Sequence, residues 1–392
     1  MTNMTNTLNI DPADIVPTPY AAPPAFTPLK FGDIKPRGWI LAQMERDLRT
    51  GFAGRLDELC HEASSDIFVS GRNHPDKLNS KNSVRSSWWN GETEGNWRSG
   101  QMMMACLTRD PAAMANAKAY VEHILASQEA DGYIGIFSQE LRFKGNGELW
   151  TQTCLFRGLL AYAEATGDGT VFAAVKRAVD CTIEGYSTYE KIPLSWHDPL
   201  YTDVLESLFE KTGDKKYPEF GLRIFHDCPE LENFLRQPEA GGKFNDCYGE
   251  GHGATVAEAM RMPFWFGAAT GDGEYFKIGR ELIAAMSRWT LPCGALVSQE
   301  MVNSLPDPWN VGYEYCTIHE RECTLLKAGR QLGDPADFEA AEHLFLNAAQ
   351  GSREPCAALR KRCSAASKSA GSPSCLPALS SVHSRSWIVQ YS

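Results

Sequence analysis

The sequence has no run of 18 apolar residues, so no transmembrane helix is expected. Its opening, MTNMTNTLNIDPADIVPTPYAAPP, lacks both a basic n-region and an apolar core, and no secretory signal is expected. Positive charge is in deficit. The formal net charge of −11 argues against nucleic acid or an anionic membrane as partner. Without a signal, the 12 cysteines read as reduced thiols of a cytoplasmic protein, not as a disulfide framework. Cys60, Cys106, Cys154 and Cys181 lie among helix-like apolar residues and read as core. Strand signals are scarce, and no short repeat recurs at constant spacing.

What is present is a globular composition, 43% hydrophobic and 22% charged, in a chain of 392 residues that can bury a large core. Ten tryptophans are a generous allotment. They suit a core, and their flat apolar rings also match the C–H face of a sugar. The last 42 residues, from Gly351, differ from the rest: they hold 11 Ser, six Lys or Arg and one Glu, a charge of +5 against −16 for the body. This segment, 351–392, reads as a disordered tail or as sequence read out of its natural frame. Residues 1–25 read as a flexible N-terminal segment, which leaves 26–350 as the folded domain.

One punctuation recurs through that domain. EATGDGTVF (164–172), EKTGDKKYPEF (210–220), AATGDGEYF (268–276) and RQLGDPADF (330–338) each end one amphipathic helical pattern and begin another, and LTRDPAAM (107–114) is a weaker copy. Gly suits the left-handed position that closes a helix, and Asp suits the cap that opens the next. Between these turns apolar residues recur at three- and four-residue steps. The pattern predicts an all-α chain of helical hairpins arranged as an α/α toroid, with long loops at one end forming a cleft.

Four polar stretches between the hairpins carry the unusual residues. SSWWNGETEGNWRSG (86–100) reads as a loop in which Trp89, Glu92, Glu94 and Trp97 either contact a sugar or staple the ring. In QEADGYIGIF (128–137), Tyr133 follows an Asp-Gly turn and is either structural or aimed into the cleft. In NDCYGEGHGATVAEA (245–259), His252 lies between two glycines at a helix start. The fourth stretch ends in GYEYCTIHE (312–320). There Thr317 and Glu320 read as a capping box, with Thr317 as N-cap. Glu314 and Cys316 would then precede the helix in extended chain, on one side and roughly 6–7 Å apart. An oxygen and a sulfur so placed suit part of a zinc site, and the helix N-terminus favours a thiolate. A buried Cys beside a capping Glu is the plainer reading.

In order, WNGETEGNW, DGYIG, GHGATVAEA and the Glu-x-Cys before a helix resemble the catalytic domain of the β-L-arabinofuranosidases of glycoside hydrolase family 127. The resemblance runs from FTPLKFGDIKPRGWILAQMERDL (26–48) to Gln350. It implies a six-hairpin α/α toroid followed by β-sandwich domains that this chain lacks. It also implies a retaining glycosidase acting on a glycoside or oligosaccharide, with a zinc-held Cys nucleophile and a Glu acid/base. On that pattern Glu314 and Cys316 are zinc ligands, Glu300 is the acid/base candidate, and Trp89, Glu92, Glu94, Trp97, Tyr133 and His252 line the sugar cleft. The family's adjacent Cys-Cys pair, source of the nucleophile, is absent. Cys356, Cys363 and Cys375 in the tail are not assigned to it. The resemblance therefore implies a partial zinc site and doubtful activity. A non-catalytic sugar-binding toroid, a metal-independent hydrolase or lyase acting on uronic acids, and an aggregation-prone fragment stay open, as does a homo-oligomer.

Overall fold

A computed structural model describes residues 19–77, 88–195, 197–227, 252–298, 302 and 312–350. Among them the chain forms six successive helical pairs. These are α1 (Gly38–Arg49) with α2 (Phe52–Leu59), α3 (Trp89–Thr108) with α4 (Pro111–Ala126), and α5 (Glu148–Thr166) with α6 (Gly169–Ser187). Then come α7 (Tyr201–Thr212) with α8 (Lys216–His226), α9 (Gly253–Ala259) and its continuation α10 (Met262–Thr270) with α11 (Gly273–Met286), and α12 (Tyr315–Leu332) with α13 (Pro335–Leu344). Helix α3 packs on α5, α5 on α7, and α9 and α10 on α12, while each partner helix packs on its own hairpin mate. Every residue of α9 and most of α5 are buried, whereas α4 and α11 bury one face. The architecture is an all-α toroid with α3, α5, α7, α9–α10 and α12 inside. No strand occurs among the described residues, only three isolated bridges, and none of their helices is long and apolar enough to cross a membrane.

The Gly-Asp turns form as local chemistry dictates. Gly167, Gly213, Gly271 and Gly333 close α5, α7, α10 and α12 with φ between 68° and 78°, a region that penalises any Cβ. Each following aspartate accepts a free N–H of the next helix: Asp168 from Thr170, Asp272 from Glu274 and Asp334 from Ala336, all at 3.0 Å, and Asp214 from Lys216 at 3.1 Å. In the copy without glycine, Arg109 takes the left-handed conformation (φ 56°) and Asp110 caps α4.

Two boundaries differ from the sequence reading. The first is at the N-terminus, where residues 20–26 are held along the turns. Ala22 N–H donates to Ala268 O (2.9 Å), Ala25 and Phe26 N–H to Gln331 O and Arg330 O (3.2 and 3.1 Å), and Tyr20 O–H to Glu206 and Glu210 (both 3.0 Å). The strap therefore starts before residue 26, because it satisfies backbone carbonyls that the helix ends leave open. The second is SSWWNGETEGNWRSG, read as a loop: from Trp89 onward it is the first turns of α3. Gly91, Gly95 and Ser99 recur every fourth residue and let α3 lie against α5. A Cβ on Gly91 would sit 2.8 Å from Thr151 Cγ2, and one on Gly95 2.8 Å from Cys154 Cβ. Close helix packing outweighs the low helix propensity of glycine there. The expected tail, 351–392, and residues 1–18 lie outside the described residues.

Candidate active site

The inner helices α3, α5, α7, α9 and α12 all begin at the same end of the ring, and their first turns carry the polar residues. Asp198 organises two of these starts. Its carboxylate accepts the Trp150 N–H (3.0 Å) from α5, and the Ser195 N–H (2.8 Å) and hydroxyl (3.0 Å) from the turn before α7. Burial raises its pKa to about 6 against those donors. The turn so fixed sets His197 on the Trp150 ring, stacked with centroids 4.8 Å apart at 27°. His252, the N-cap of α9, stands edge-on to His197 at 5.1 Å. Its Nδ1 lies 3.0 Å from Thr255 Oγ1, and its Nε2 lies 3.8 Å from Glu314 Oε1. Glu258, one turn into α9, is hydrogen-bonded to His197 Nδ1 at 3.0 Å.

The electrostatics follow from burial. His197 is pushed down to about 4, first by burial and then by His252, and stays neutral near pH 7. Burial, reinforced by Glu320, drives Glu258 well above the usual carboxylate range, so the His197–Glu258 pair carries no net charge. Glu92, in the first turn of α3, is raised by burial and held back by His197, the Trp150 indole and His252. One side of this constellation thus holds the neutral imidazole of His197 beside a carboxyl, Glu258, that burial biases toward keeping its proton. Trp88 lies 6.3 Å from His197 and meets Trp89 edge-on at 5.8 Å; Trp89 is exposed.

Below this layer lies an ion network. Asp203 of α7 accepts from Arg261 Nε and Nη2 (3.0 and 2.8 Å) and pairs with Arg157 of α5. Arg261 Nη2 also lies 2.8 Å from Glu320 Oε2 of α12. Arg261 reaches inward because the inner helix is interrupted there, with Pro263 opening α10.

The sequence-derived residues divide. Glu92, His252 and Glu314 come together around His197. Glu94, Trp97 and Tyr133, expected to line a sugar cleft, instead fasten the scaffold. Glu94 accepts from Ile67 N–H (3.1 Å), Ser65 O–H (3.2 Å) and Tyr120 O–H (3.1 Å). Trp97 Nε1 donates to Ala53 O at 2.8 Å. Tyr133, with no exposed surface, donates to Glu148 at 2.6 Å. Glu300 lies outside the described residues.

The capping box on Thr317 does not form. Helix α12 begins at Tyr315 with Glu314 as its extended N-cap, so Cys316 is the second helical residue and not part of an extended segment. Thr317 Oγ1 donates to Glu314 Oε1 (3.2 Å), and Glu320 is drawn inward to Arg261, an ion pair with which a cap cannot compete. Cys316, half-buried, keeps the environment of a helix N-terminus. The oxygen of Glu314 and the sulfur of Cys316 suit zinc, as does a second group of donors on the same helix, His319, Glu320 and Cys323. His197, Trp150, Glu258, Arg157, Asp203 and Arg261 were not singled out from sequence, and Glu320 was read only as a helix cap. The tripeptide His-Asp-Pro (197–199) at a helix start was the one local signal available for any of them.

Comparison with known proteins agrees with this architecture. The family model for the β-L-arabinofuranosidase GH127 catalytic domain matches residues 38–285. A solved GH127 β-arabinofuranosidase is similar with a TM-score of 0.59 at 14% identity, over 84% of this chain and 54% of that one. A GH127 β-L-arabinofuranosidase from Geobacillus stearothermophilus T6 is similar at 0.54 and 14% identity, over 79% and 53%. A third structure, titled glycoside hydrolase, gives 0.53 and 16%, over 73% and 49%. The chain spans about half the length of these structures. No curated protein matches. With the match covering well over half of its residues, the chain belongs to the GH127 β-L-arabinofuranosidase catalytic-domain family.

Proposed function

We propose that the cleft at the N-terminal ends of the inner helices binds non-reducing-end β-L-arabinofuranosides or similar plant glycans, as part of a retaining glycoside hydrolase. The observation that carries this reading is the convergence of Glu92, His197, His252 and Glu314 beside the Trp150 ring. A neutral imidazole at His197 and a protonated carboxyl donate and accept hydrogen bonds with sugar hydroxyls at little desolvation cost. The indoles of Trp88 and Trp89 offer an apolar face for the ring.

Glu314 and Cys316 are the residues proposed to hold zinc. A zinc bound there supplies positive charge that keeps a cysteine thiol ionised. Glu300 is the proposed acid/base: it gives a proton to the leaving oxygen and later takes one from water, as retention requires. The sequence has no adjacent cysteine pair, so the turnover expected of this chain is low.

The test is calorimetric titration of the full chain with methyl β-L-arabinofuranoside, alongside hydrolysis of the p-nitrophenyl analogue followed by NMR for anomeric configuration. Binding is expected, weakened about fivefold in His252→Ala for the loss of one hydrogen bond. Hydrolysis is expected to be slow, to retain configuration and to vanish in Glu300→Gln. Absence of binding, or binding indifferent to His252, refutes the cleft. Inversion refutes the mechanism. Binding with no hydrolysis favours a non-catalytic sugar-binding toroid.

A further inference from the structure

Helix α12 carries metal-binding side chains at two levels. Glu314 and Cys316 belong to its start. One to two turns further along, His319 Nε2 lies 3.5 Å from Cys323 Sγ and 3.7 Å from Glu320 Oε1, and one donor atom from each of the three falls within 4.8 Å of the others. His319 and Cys323 are four residues apart, a spacing that puts them on one helical face. We propose that His319, Glu320 and Cys323 form a cation site of their own, for a borderline-soft divalent ion such as zinc, distinct from the one at Glu314 and Cys316.

Three observations support the separation and the chemistry. Cys316 and Cys323 are seven residues apart on one helix, roughly 10 Å along its axis at about 1.5 Å per residue. Two sulfurs bonded to one zinc, each at about 2.3 Å, can be no more than about 4.6 Å apart. One ion therefore cannot serve both cysteines. The donor set itself, one imidazole nitrogen, one carboxylate oxygen and one sulfur, suits zinc rather than magnesium or calcium, which prefer oxygen alone.

The third observation is charge balance. Arg157 and Arg261 flank Glu320, and by themselves they would repel a cation. Asp203 pairs with both guanidiniums, so Arg157, Arg261, Asp203 and Glu320 sum to zero. Arg261 approaches Glu320 through Oε2 (2.8 Å), while Oε1 is the oxygen nearest His319. A carboxylate that offers one oxygen to a metal while the other faces a guanidinium is the usual outer-shell arrangement of a metal site. On binding, the metal–sulfur bond replaces the S–H bond of Cys323 and the proton leaves to solvent, with no change of oxidation state.

The experiment strips the full chain with chelator, refills it with cobalt(II), and reads the sulfur-to-cobalt charge-transfer absorption and the number of ions bound. Cys323→Ser, Cys316→Ser and His319→Gln are compared, with circular dichroism as the check on folding. The expected result is a sulfur-to-cobalt band that survives in C316S, with an ion still bound, and is lost from that variant when Cys323 is replaced as well. H319Q should weaken affinity by more than the roughly 10–100-fold cost of losing an outer-shell partner. A band in C316S that persists when Cys323 is also replaced, or no band in the unsubstituted chain, overturns the proposal. Should C323S fail to fold, H319Q decides: unchanged cobalt affinity in that variant overturns it equally. Loss of the band in C316S alone assigns the ion to the helix start and leaves none for the deeper donors.

Discussion

Replacing Asp203 removes the carboxylate that hydrogen-bonds two guanidiniums, those of Arg157 and Arg261. Arg261 is almost fully buried and Arg157 largely so, with 4% and 13% of their side-chain surface exposed. With Asp203 gone they share Glu320 alone. Breaking a buried ion pair from one side costs about 3–5 kcal/mol, because the orphaned charge stays behind. Asp203 keeps about a quarter of its surface in contact with solvent (23%), so Asp203→Asn should fall near the lower end, about 3 kcal/mol. Arg261→Met removes the opposite charge at similar volume. The double substitution should cost less than the sum of the singles, by about 0.5–3 kcal/mol. Urea denaturation followed by tryptophan fluorescence measures all three. The dependence on pH gives a second reading. Burial acts to raise the Asp203 pKa, yet Arg261 and Arg157 hold it far below the usual carboxylate range. A folded-state pKa below the unfolded value of about 3.9 means the stabilisation is fully present above that pH and fades as pH falls. The gap between the unsubstituted protein and D203N should be constant from about pH 5 to 8 and narrow below about pH 4. Additive costs in the cycle, or a gap that ignores acid, would refute the assignment of Asp203 as the shared counter-ion.

Other perturbations follow from single contacts. Gly253→Ala places a Cβ 2.0 Å from Ser298 Oγ and 2.7 Å from Thr317 Oγ1. It should cost about 1–3 kcal/mol by overpacking and weaken sugar binding through the adjacent His252, and Ser298→Ala in the same chain should restore part of both. Gly95→Ala should destabilise by a similar amount, about 1–3 kcal/mol, with no partner change that rescues it cheaply, since the obstruction includes the Leu155 backbone nitrogen at 3.2 Å. Tyr133→Phe removes a donor from Glu148, whose pKa burial raises to about 7. A raised folded-state pKa means stability declines as pH rises from about 4.3 to about 7, and loss of the donor should extend that decline to higher pH; melting temperatures between pH 5 and 9 test it.

The parts of this fold legible in sequence are those governed by neighbours along the chain. A glycine that must be left-handed and an aspartate two residues from the N–H it caps are local events, and the Gly-Asp turns form as read. Gly91 and Gly95 were misread for the opposite reason. Their purpose is the approach of α3 to α5, which no window of a few residues contains. The same limit applies to the site. Glu92 and His252 stood out because their surroundings were odd for a helix. His197, Glu258 and Arg261 are ordinary residues in ordinary helical contexts, and they matter because closure of a ring brings five segments to one place. The capping box failed on this ground as well. Thr317 and Glu320 have the right spacing, but Arg261 offers Glu320 a buried guanidinium, and that charge outbids one backbone N–H.

The direction of the helices joins these findings. Helices α3, α5, α7, α9 and α12 present their N-termini at one end and, with α10 completing α9, their closing turns at the other (Gly-Asp in all but α3), where residues 20–26 run across three of the Gly-Asp turns. Free N–H groups, with the partial positive charge they carry, therefore collect at the cleft, and unsatisfied carbonyls collect under the strap. Carboxylates are stabilised at the first end, as Asp198 shows by accepting the Trp150 N–H and Glu314 by standing as the cap of α12. A thiolate at Cys316 gains from the same field. The strap end needs donors instead, and the N–H groups of Ala22, Ala25 and Phe26 provide them. The polarity of the ring, more than any one side chain, explains why the chemistry gathers at one end and the lacing at the other.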